Sequence, residues 1–202
     1  VLESHEHPRP FKSDSPFYAL VEFENIDTET DIIFEVYSKC VDKQLITDGV
    51  ISQSIDQARA LWKLREDISE TLWHFQPYKN DLSVRISKMA DFLSDFNQLT
   101  QKNYPDFELV WYGHIGDGNI HLNILKPKNL STLQFKSFCD GVSMSLGELI
   151  SKYEGSISAE HGVGLLKKES LRFSRSEDEI NLMKSIKKIF DPNAILNPGK
   201  LI

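Results

Sequence analysis

The feature that most limits the fold is a hairpin pattern in the middle of the chain. Two runs rich in strand-forming residues, 107–112 and 119–125, flank the dipeptide Asp117-Gly118. Asp-Gly is typical of two-residue type I′ turns, because both central residues of such a turn need positive φ. Strand and helix patterns alternate along the chain, but this central hairpin must be antiparallel. The sequence therefore predicts an α+β fold with a largely antiparallel sheet covered by helices, rather than a doubly wound parallel sheet.

The remaining elements follow from the spacing of apolar residues. Helices are predicted over 27–44, 54–75, 85–102, 131–153, 162–171 and 176–190, and short strands over 17–24, 48–52, 78–84 and 156–159. The first sixteen residues contain three prolines and mixed charges, which predicts a linker. His5 and His7 in this linker are expected to be solvated and receive no role.

Composition excludes several classes of partner. The chain has 23 Lys and Arg against 30 Asp and Glu, a net charge of -7, so nucleic acid and anionic membrane surfaces are poor partners. Cys40 and Cys139 are the two cysteines, and they are predicted to be thiols in a reducing compartment, such as bacterial cytoplasm or mitochondrial matrix. The first residue is Val rather than Met, which predicts a piece of a longer protein.

Two histidines flank the predicted turn. A two-residue turn at Asp117-Gly118 would place His114 directly opposite His121, with Cβ atoms about 5 Å apart. Asn123, two residues after His121, would share that face, while Ile115 and Ile120 would face the packing side. Such a pair suits one divalent cation, but it also suits two neutral, hydrogen-bonded imidazoles.

A second candidate segment is SAEHGVG at 158–164, where a short strand is predicted to end. Glu160 could supply a third metal ligand, and the adjacent His161 could supply a general base. The alternative is that Glu160 only interacts favourably with the dipole of a following helix.

Arg65 is a cation on an apolar helix stripe, between Leu61 and Ile68. A cation in that position needs an anionic partner. Either it binds a substrate carboxylate, for which a guanidinium is well shaped, or it forms a structural salt bridge or extends along the edge of the helix toward solvent. Lys79 in the following strand could join it, although by itself Lys79 is typical of a surface residue.

Three segments, YGHIGDGNIHLNI, SAEHGVGLLKK and DPNAILNPGKLI, occur in an order that resembles the C-terminal half of FAD-linked D-2-hydroxy-acid dehydrogenases, in the vanillyl-alcohol-oxidase superfamily. LWKLRE followed by YKNDLSV is most similar to the D-2-hydroxyglutarate branch, beside the D-lactate and glycolate relatives. The resemblance implies a duplicated ferredoxin-like cap domain over 17–202. It further implies that residues 1–16 link this domain to an N-terminal FAD-binding domain.

The resemblance also implies roles for individual side chains, carried over position by position. It implies that His114, His121 and Glu160 bind a divalent metal, zinc or manganese, and that His161 accepts the hydroxyl proton of the substrate. Substrate contacts are implied for Arg65, Ser69, Lys79 and Asn123, and a position near the flavin for Asn197. One position departs from the family pattern, since Asn80 stands where relatives often have an aromatic residue.

The function implied is oxidation of a D-2-hydroxy acid, such as 2-hydroxyglutarate or lactate, to the 2-oxo acid with hydride transfer to FAD. The chain would supply the substrate and metal side and would be inactive without its FAD domain. An electron acceptor, such as an electron-transfer flavoprotein or a quinone, and a homodimer partner are also expected. Two alternatives remain open: a stand-alone metal hydrolase that uses the same ligands, and a non-catalytic ligand-binding module.

Overall fold

The computed structural model describes residues 1–23 and 30–202, which divide into two compact units, 1–74 and 75–202. The described residues of the first unit form three helices: α1 (Thr30–Asp42), α2 (Ile55–Glu66) and α3 (Ile68–Trp73). No strand forms among its described residues, so the strands predicted over 17–24 and 48–52 are wrong for 17–23 and 48–52. Residue 24 and the first residues of the predicted helix 27–44 lie outside the described part.

The helix predicted over 54–75 is divided at Asp67. The backbone amide of Asp67 closes α2 by donating to Lys63, and its carboxylate Oδ2 lies 2.6 Å from His7 Nε2. His5 Nε2 lies 3.0 Å from the hydroxyl of Thr71 in α3. The expectation that both histidines are solvated is therefore wrong, because each is half-buried and hydrogen-bonded. The hydrogen bond from His7 lowers the pKa of the Asp67 carboxyl.

The second unit carries the sheet and three longer helices. Its elements are β1 (Tyr78–Ser83), α4 (Met89–Asn103), β2 (Glu108–His114), β3 (Asn119–Leu125), α5 (Thr132–Lys152) and α6 (Glu177–Phe190). The strands lie in the order β1-β3-β2, and both neighbouring pairs are antiparallel. An antiparallel bridge between Ser83 and Ser156 adds to the outer edge of β1. This is the β-α-β-β-α-β order of a ferredoxin-like unit, which confirms the α+β class.

Two short elements of this unit differ from the prediction. The strand predicted over 156–159 is reduced to the single bridge at Ser156. The α-helix predicted over 162–171 is replaced by turns and a 3-10 helix, Glu169–Phe173. The reason is that Gly162 and Gly164 have φ of 75° and 56°, outside the right-handed helical region. The duplication of the ferredoxin-like arrangement, in contrast, stays a prediction.

One face of the sheet forms the core of the second unit. Apolar side chains from the strands pack against α4 and α5, and the most buried members are Leu82, Leu122, Ile124, Phe92, Phe96, Cys139, Val142 and Ile150. Cys139 is a free cysteine, and burial raises the pKa of its thiol to about 12 because the charged thiolate is poorly solvated there. The Asn80 side chain points to this same face, and its Nδ2 is buried with no hydrogen-bond partner among the residues that the structure describes. The departure at Asn80 therefore falls on the core side of the sheet.

No helix within 1–23 or 30–202 is both long and apolar enough to cross a membrane.

The central hairpin forms with a register different from the predicted one. Tyr112 pairs with His121 and His114 pairs with Asn119, so His114 does not lie directly opposite His121. The shift amounts to two residues. Because side chains alternate with a period of two, His114 and His121 nevertheless stay on the same face of the sheet.

A four-residue loop, 115–118, replaces the predicted two-residue turn. Gly118 has a φ of 77°, but Asp117 is not in the left-handed region that a type I′ turn would also require there. The Asp117 carboxylate instead accepts a hydrogen bond of 3.0 Å from the amide of Asn119. Ile115 consequently lies in the loop and is exposed, contrary to the prediction, whereas Ile120 is buried as predicted.

Gly118 offers a direct test of this loop geometry. We expect Gly118→Ala to reduce the free energy of unfolding by at least about 2 kcal/mol, because its φ is unfavourable for alanine and a Cβ would collide with the carbonyl oxygen of Val84. Gly116→Ala in the same loop is the matched control, since a Cβ there meets open space. Urea unfolding of both variants checks the expectation. Equal stabilities would show that the tip of the hairpin does not pack against Val84.

Candidate functional site

The candidate site lies on the polar face of the sheet, opposite the core. Asp81 of β1 pairs with His121 of β3, and His114 at the end of β2 pairs with Asn119. Strand alternation explains this face, because polar residues at every second position are kept away from the apolar core. Asn123, two residues beyond His121, shares this face as predicted.

Three predicted metal ligands meet at one point. His114 Nδ1 lies 2.8 Å from Glu160 Oε1, and His121 Nε2 lies 3.7 Å from the same oxygen. All three ligand atoms lie within 4.8 Å of one another. His114 and Glu160 are about half exposed, whereas the His121 side chain is only 12% exposed. His121 is therefore the buried member of the cluster, and the cluster is open to solvent on the side of His114 and Glu160.

Two imidazoles and a carboxylate in this arrangement suit one divalent cation. Three protein ligands with an open coordination position are typical of a site that also binds a water or a substrate oxygen. Nitrogen and carboxylate donors fit several first-row ions, zinc and manganese among them. The Asn119 side-chain amide also donates to the Glu160 carboxylate, which restricts its orientation.

The next residue, His161, lies beside the three ligands. Its ring stacks on that of His121, with centroids 5.5 Å apart and an interplanar angle of 16°. Its Nδ1 faces Asp81 Oδ2 at 3.7 Å, and 64% of the side chain is exposed. A solvent-accessible imidazole in contact with a carboxylate has the placement that a general base needs.

Asp81 is the site residue that the sequence interpretation missed. Its Oδ2 accepts hydrogen bonds from three consecutive backbone amides, those of Ala159, Glu160 and His161, at 2.9 to 3.1 Å. Burial raises the pKa of this carboxyl, but the amide hydrogen bonds and nearby His161 and Lys167 outweigh burial and lower it. The strand is mixed in character, YKNDLS, so no local sequence pattern distinguishes Asp81 from its polar neighbours.

The structure places the other predicted substrate residues of the second unit as follows. Asn123 is buried, and its Nδ2 donates to the carbonyl oxygens of Val110 and His121. Lys79 is exposed and pairs with Asn123 across β1 and β3. Tyr112, which the sequence interpretation did not select, has its ring centroid 5.0 Å from that of His121. Lys79, Asn123 and Tyr112 therefore share the polar face with the histidines.

The remaining predicted residues, Arg65, Ser69 and Asn197, do not belong to the strands of this sheet. Arg65, near the end of α2, is half-buried, and Ser69 in α3 is exposed. Both belong to the first unit, so their participation in the site stays a prediction. Asn197 is exposed and has a φ of 46°. It follows a loop that Asp191 holds by accepting hydrogen bonds from the amides of Ile195 and Leu196.

Comparison with known proteins identifies the family of this chain. The family described as FAD linked oxidases, C-terminal domain, matches residues 1–201. The chain belongs to this family. The histidines, Glu160 and Asp81 therefore all belong to an FAD-linked oxidase C-terminal domain.

Curated relatives of this oxidase domain carry dehydrogenase names. A D-2-hydroxyglutarate dehydrogenase of Stutzerimonas stutzeri is 50% identical over all of this chain and 44% of its own length. A D-2-hydroxyglutarate dehydrogenase of Xanthomonas citri is 47% identical over 98% of this chain and 42% of its own length. A mitochondrial D-2-hydroxyglutarate dehydrogenase of Arabidopsis thaliana is 37% identical over 96% of this chain and 34% of its own length. The chain thus spans less than half the length of these relatives.

Proposed function

We propose that this domain is the substrate- and metal-binding half of a FAD-linked dehydrogenase that oxidises a D-2-hydroxy acid to the 2-oxo acid. The observation that carries the proposal is the convergence of His114, His121 and Glu160 beside an accessible His161. The family match and the names of the relatives support the same chemistry. They give no support to a hydrolase or a non-catalytic module, so both enter below as outcomes of the test.

In this proposal His114 Nδ1, His121 Nε2 and a carboxylate oxygen of Glu160 hold one divalent cation, zinc or manganese. A cation there would lower the pKa of the substrate hydroxyl, and the flavin of the family would accept the hydride. His161 takes the hydroxyl proton at Nε2, because its Nδ1 faces Asp81. The stacking of His161 on His121 keeps that nitrogen beside the ligand cluster.

Binding of the substrate carboxylate is assigned to Arg65, with Ser69, Lys79 and Asn123 as further contacts. A guanidinium fits a carboxylate with two parallel hydrogen bonds, which fixes the orientation of the α-carbon. Lys79 adds a second cation to this set and favours a substrate with two carboxylates. Together with the names of the relatives, this makes D-2-hydroxyglutarate the first substrate to test.

The same proposal includes the rest of the protein. Asn197 contacts the flavin, which an FAD-binding domain outside this chain holds, and electrons leave to an acceptor such as an electron-transfer flavoprotein or a quinone. A bacterial cytoplasm or a mitochondrial matrix fits such a protein. Plant and animal relatives are named mitochondrial, which supports the second location for the eukaryotic members.

The substrate is tested with the flavoprotein, meaning the full-length protein that carries this chain together with its FAD domain. We expect dye-coupled oxidation of D-2-hydroxyglutarate, weaker turnover of D-lactate, and no turnover of the L enantiomers. The isolated chain, loaded with zinc or manganese, should hydrolyse no ester or amide. Hydrolysis by the isolated chain would favour the hydrolase, and a flavoprotein that neither binds nor oxidises 2-hydroxy acids would favour the non-catalytic module.

A further inference from the structure

The polar face of the sheet contains one buried carboxylate, that of Asp81, to which the proposed function assigns no direct contact with the substrate or the cation. We propose that Asp81 is a positioning residue, which fixes Glu160, His161 and His121 in their working geometry through separate contacts. This inference rests on the proposed function, because it concerns the same ligand cluster. Asp81 does not touch the substrate in this account and acts only through its neighbours.

The first contact is with the backbone of the 159–161 segment. A single oxygen, Oδ2, accepts the amides of Ala159, Glu160 and His161 at 3.1, 2.9 and 2.9 Å. The Asp81 residue is 2% exposed, so water cannot replace these bonds. Without regular secondary structure around it, this segment depends on such bonds for its conformation. The side chains of Glu160 and His161 therefore start from backbone positions that Asp81 holds.

The second contact is with the ring of His121. The other oxygen, Oδ1, is buried, makes no hydrogen bond within the described residues, and faces His121 Nδ1 at 3.5 Å. The opposite ring nitrogen, Nε2, faces Glu160. A carboxylate behind a ligating histidine is a common arrangement that fixes the ring orientation and the tautomer. Asp81 thus stands in the same relation to His121 as such a carboxylate.

Lys167 supports the same segment from its other end. Its Nζ donates to the carbonyl oxygen of Ile157 at 2.8 Å and to that of Asp81 at 3.3 Å. Its ammonium is thereby held against carbonyl oxygens of both β1 and the segment that leads to Glu160. Asp81 and Lys167 together attach residues 157–161 to β1, so the inference predicts related effects for both residues.

The test uses the flavoprotein with Asp81→Asn, which keeps the shape of the side chain but removes its charge and one acceptor oxygen. We expect kcat per bound flavin to fall about 10- to 100-fold, and the free metal concentration needed for half-saturation to rise by a similar factor. KM should change much less than kcat, because Arg65 still binds the carboxylate. Asp95→Asn is the matched control, since Asp95 accepts hydrogen bonds from Lys152 and Tyr153 elsewhere in the same unit.

The outcomes separate this inference from the proposed function. An Asp81→Asn protein with the kcat and metal affinity of the Asp95→Asn control would overturn the positioning role, provided that the wild type binds metal and oxidises a D-2-hydroxy acid. A wild type that does neither would overturn the proposed function itself. If Asp81→Asn fails to fold, Lys167→Met is measured in the same way, and unchanged kcat and metal affinity there would also contradict the inference.

Discussion

Replacing His121 by alanine is expected to remove the divalent cation and to reduce kcat/KM at least about 100-fold, since a bound cation contributes several kcal/mol and each factor of ten corresponds to about 1.4 kcal/mol. The effect should be large because His121 is the least exposed of the three ligands and lies between Glu160 and Asp81. Elemental analysis and steady-state kinetics of the flavoprotein measure both consequences.

His74→Ala is the control for that experiment. His74 is an exposed histidine that follows α3 in the first unit, and it has no place in the proposed site. This variant should keep the wild-type metal content and kcat/KM. Retention of stoichiometric metal in His121→Ala would contradict the ligand assignment, whatever the activity of that variant.

The second large effect is expected at Arg65. Replacing it by methionine should raise KM for D-2-hydroxyglutarate about 10- to 100-fold, because hydrogen bonds to a charged group contribute about 1.5–3 kcal/mol. Metal content should not change, because Arg65 is not among the ligands. Arg65→Lys should restore only part of the affinity, since an ammonium cannot form the paired hydrogen bonds of a guanidinium.

Arg59→Met on the same helix provides the comparison for Arg65. Arg59 is highly exposed, and its ion pair is with Asp56 on its own helix. We expect its KM to equal that of the wild type. If Arg65→Met binds the substrate as tightly as Arg59→Met does, Arg65 is a structural cation and the carboxylate is bound by other residues.

The sheet and the longer helices were predictable because apolar periodicity directly reports which face of an element is buried. The strand predicted over 119–125 matches β3, and the helix predicted over 131–153 contains α5 with its cap, Ser131. The failures concern places where one or two residues decide. Asp67 divides a continuous apolar pattern into α2 and α3, and the positive φ values of Gly162 and Gly164 prevent the α-helix predicted over 162–171 from starting there.

The candidate ligands were predictable although the predicted hairpin register was wrong, and the reason is physical. A shift of two residues preserves the face of every strand residue, so His114 and His121 remain neighbours. Asp81 was not predictable in the same way. Its contacts depend on the pairing of β1 with β3 and on amides 78 to 80 residues further along the chain. No local pattern around Asp81 contains that information.

The central claim is that this domain presents a D-2-hydroxy acid to the flavin with the help of a divalent cation. The most direct measurement is anaerobic reduction of the flavoprotein's flavin by D-2-hydroxyglutarate, followed by its absorbance, before and after removal of metal with a chelator. We predict rapid bleaching by the D enantiomer and none by the L enantiomer, loss of bleaching after chelation, and recovery when zinc or manganese is restored. Bleaching that is equally fast in metal-free protein, or no bleaching by any D-2-hydroxy acid, would contradict the account.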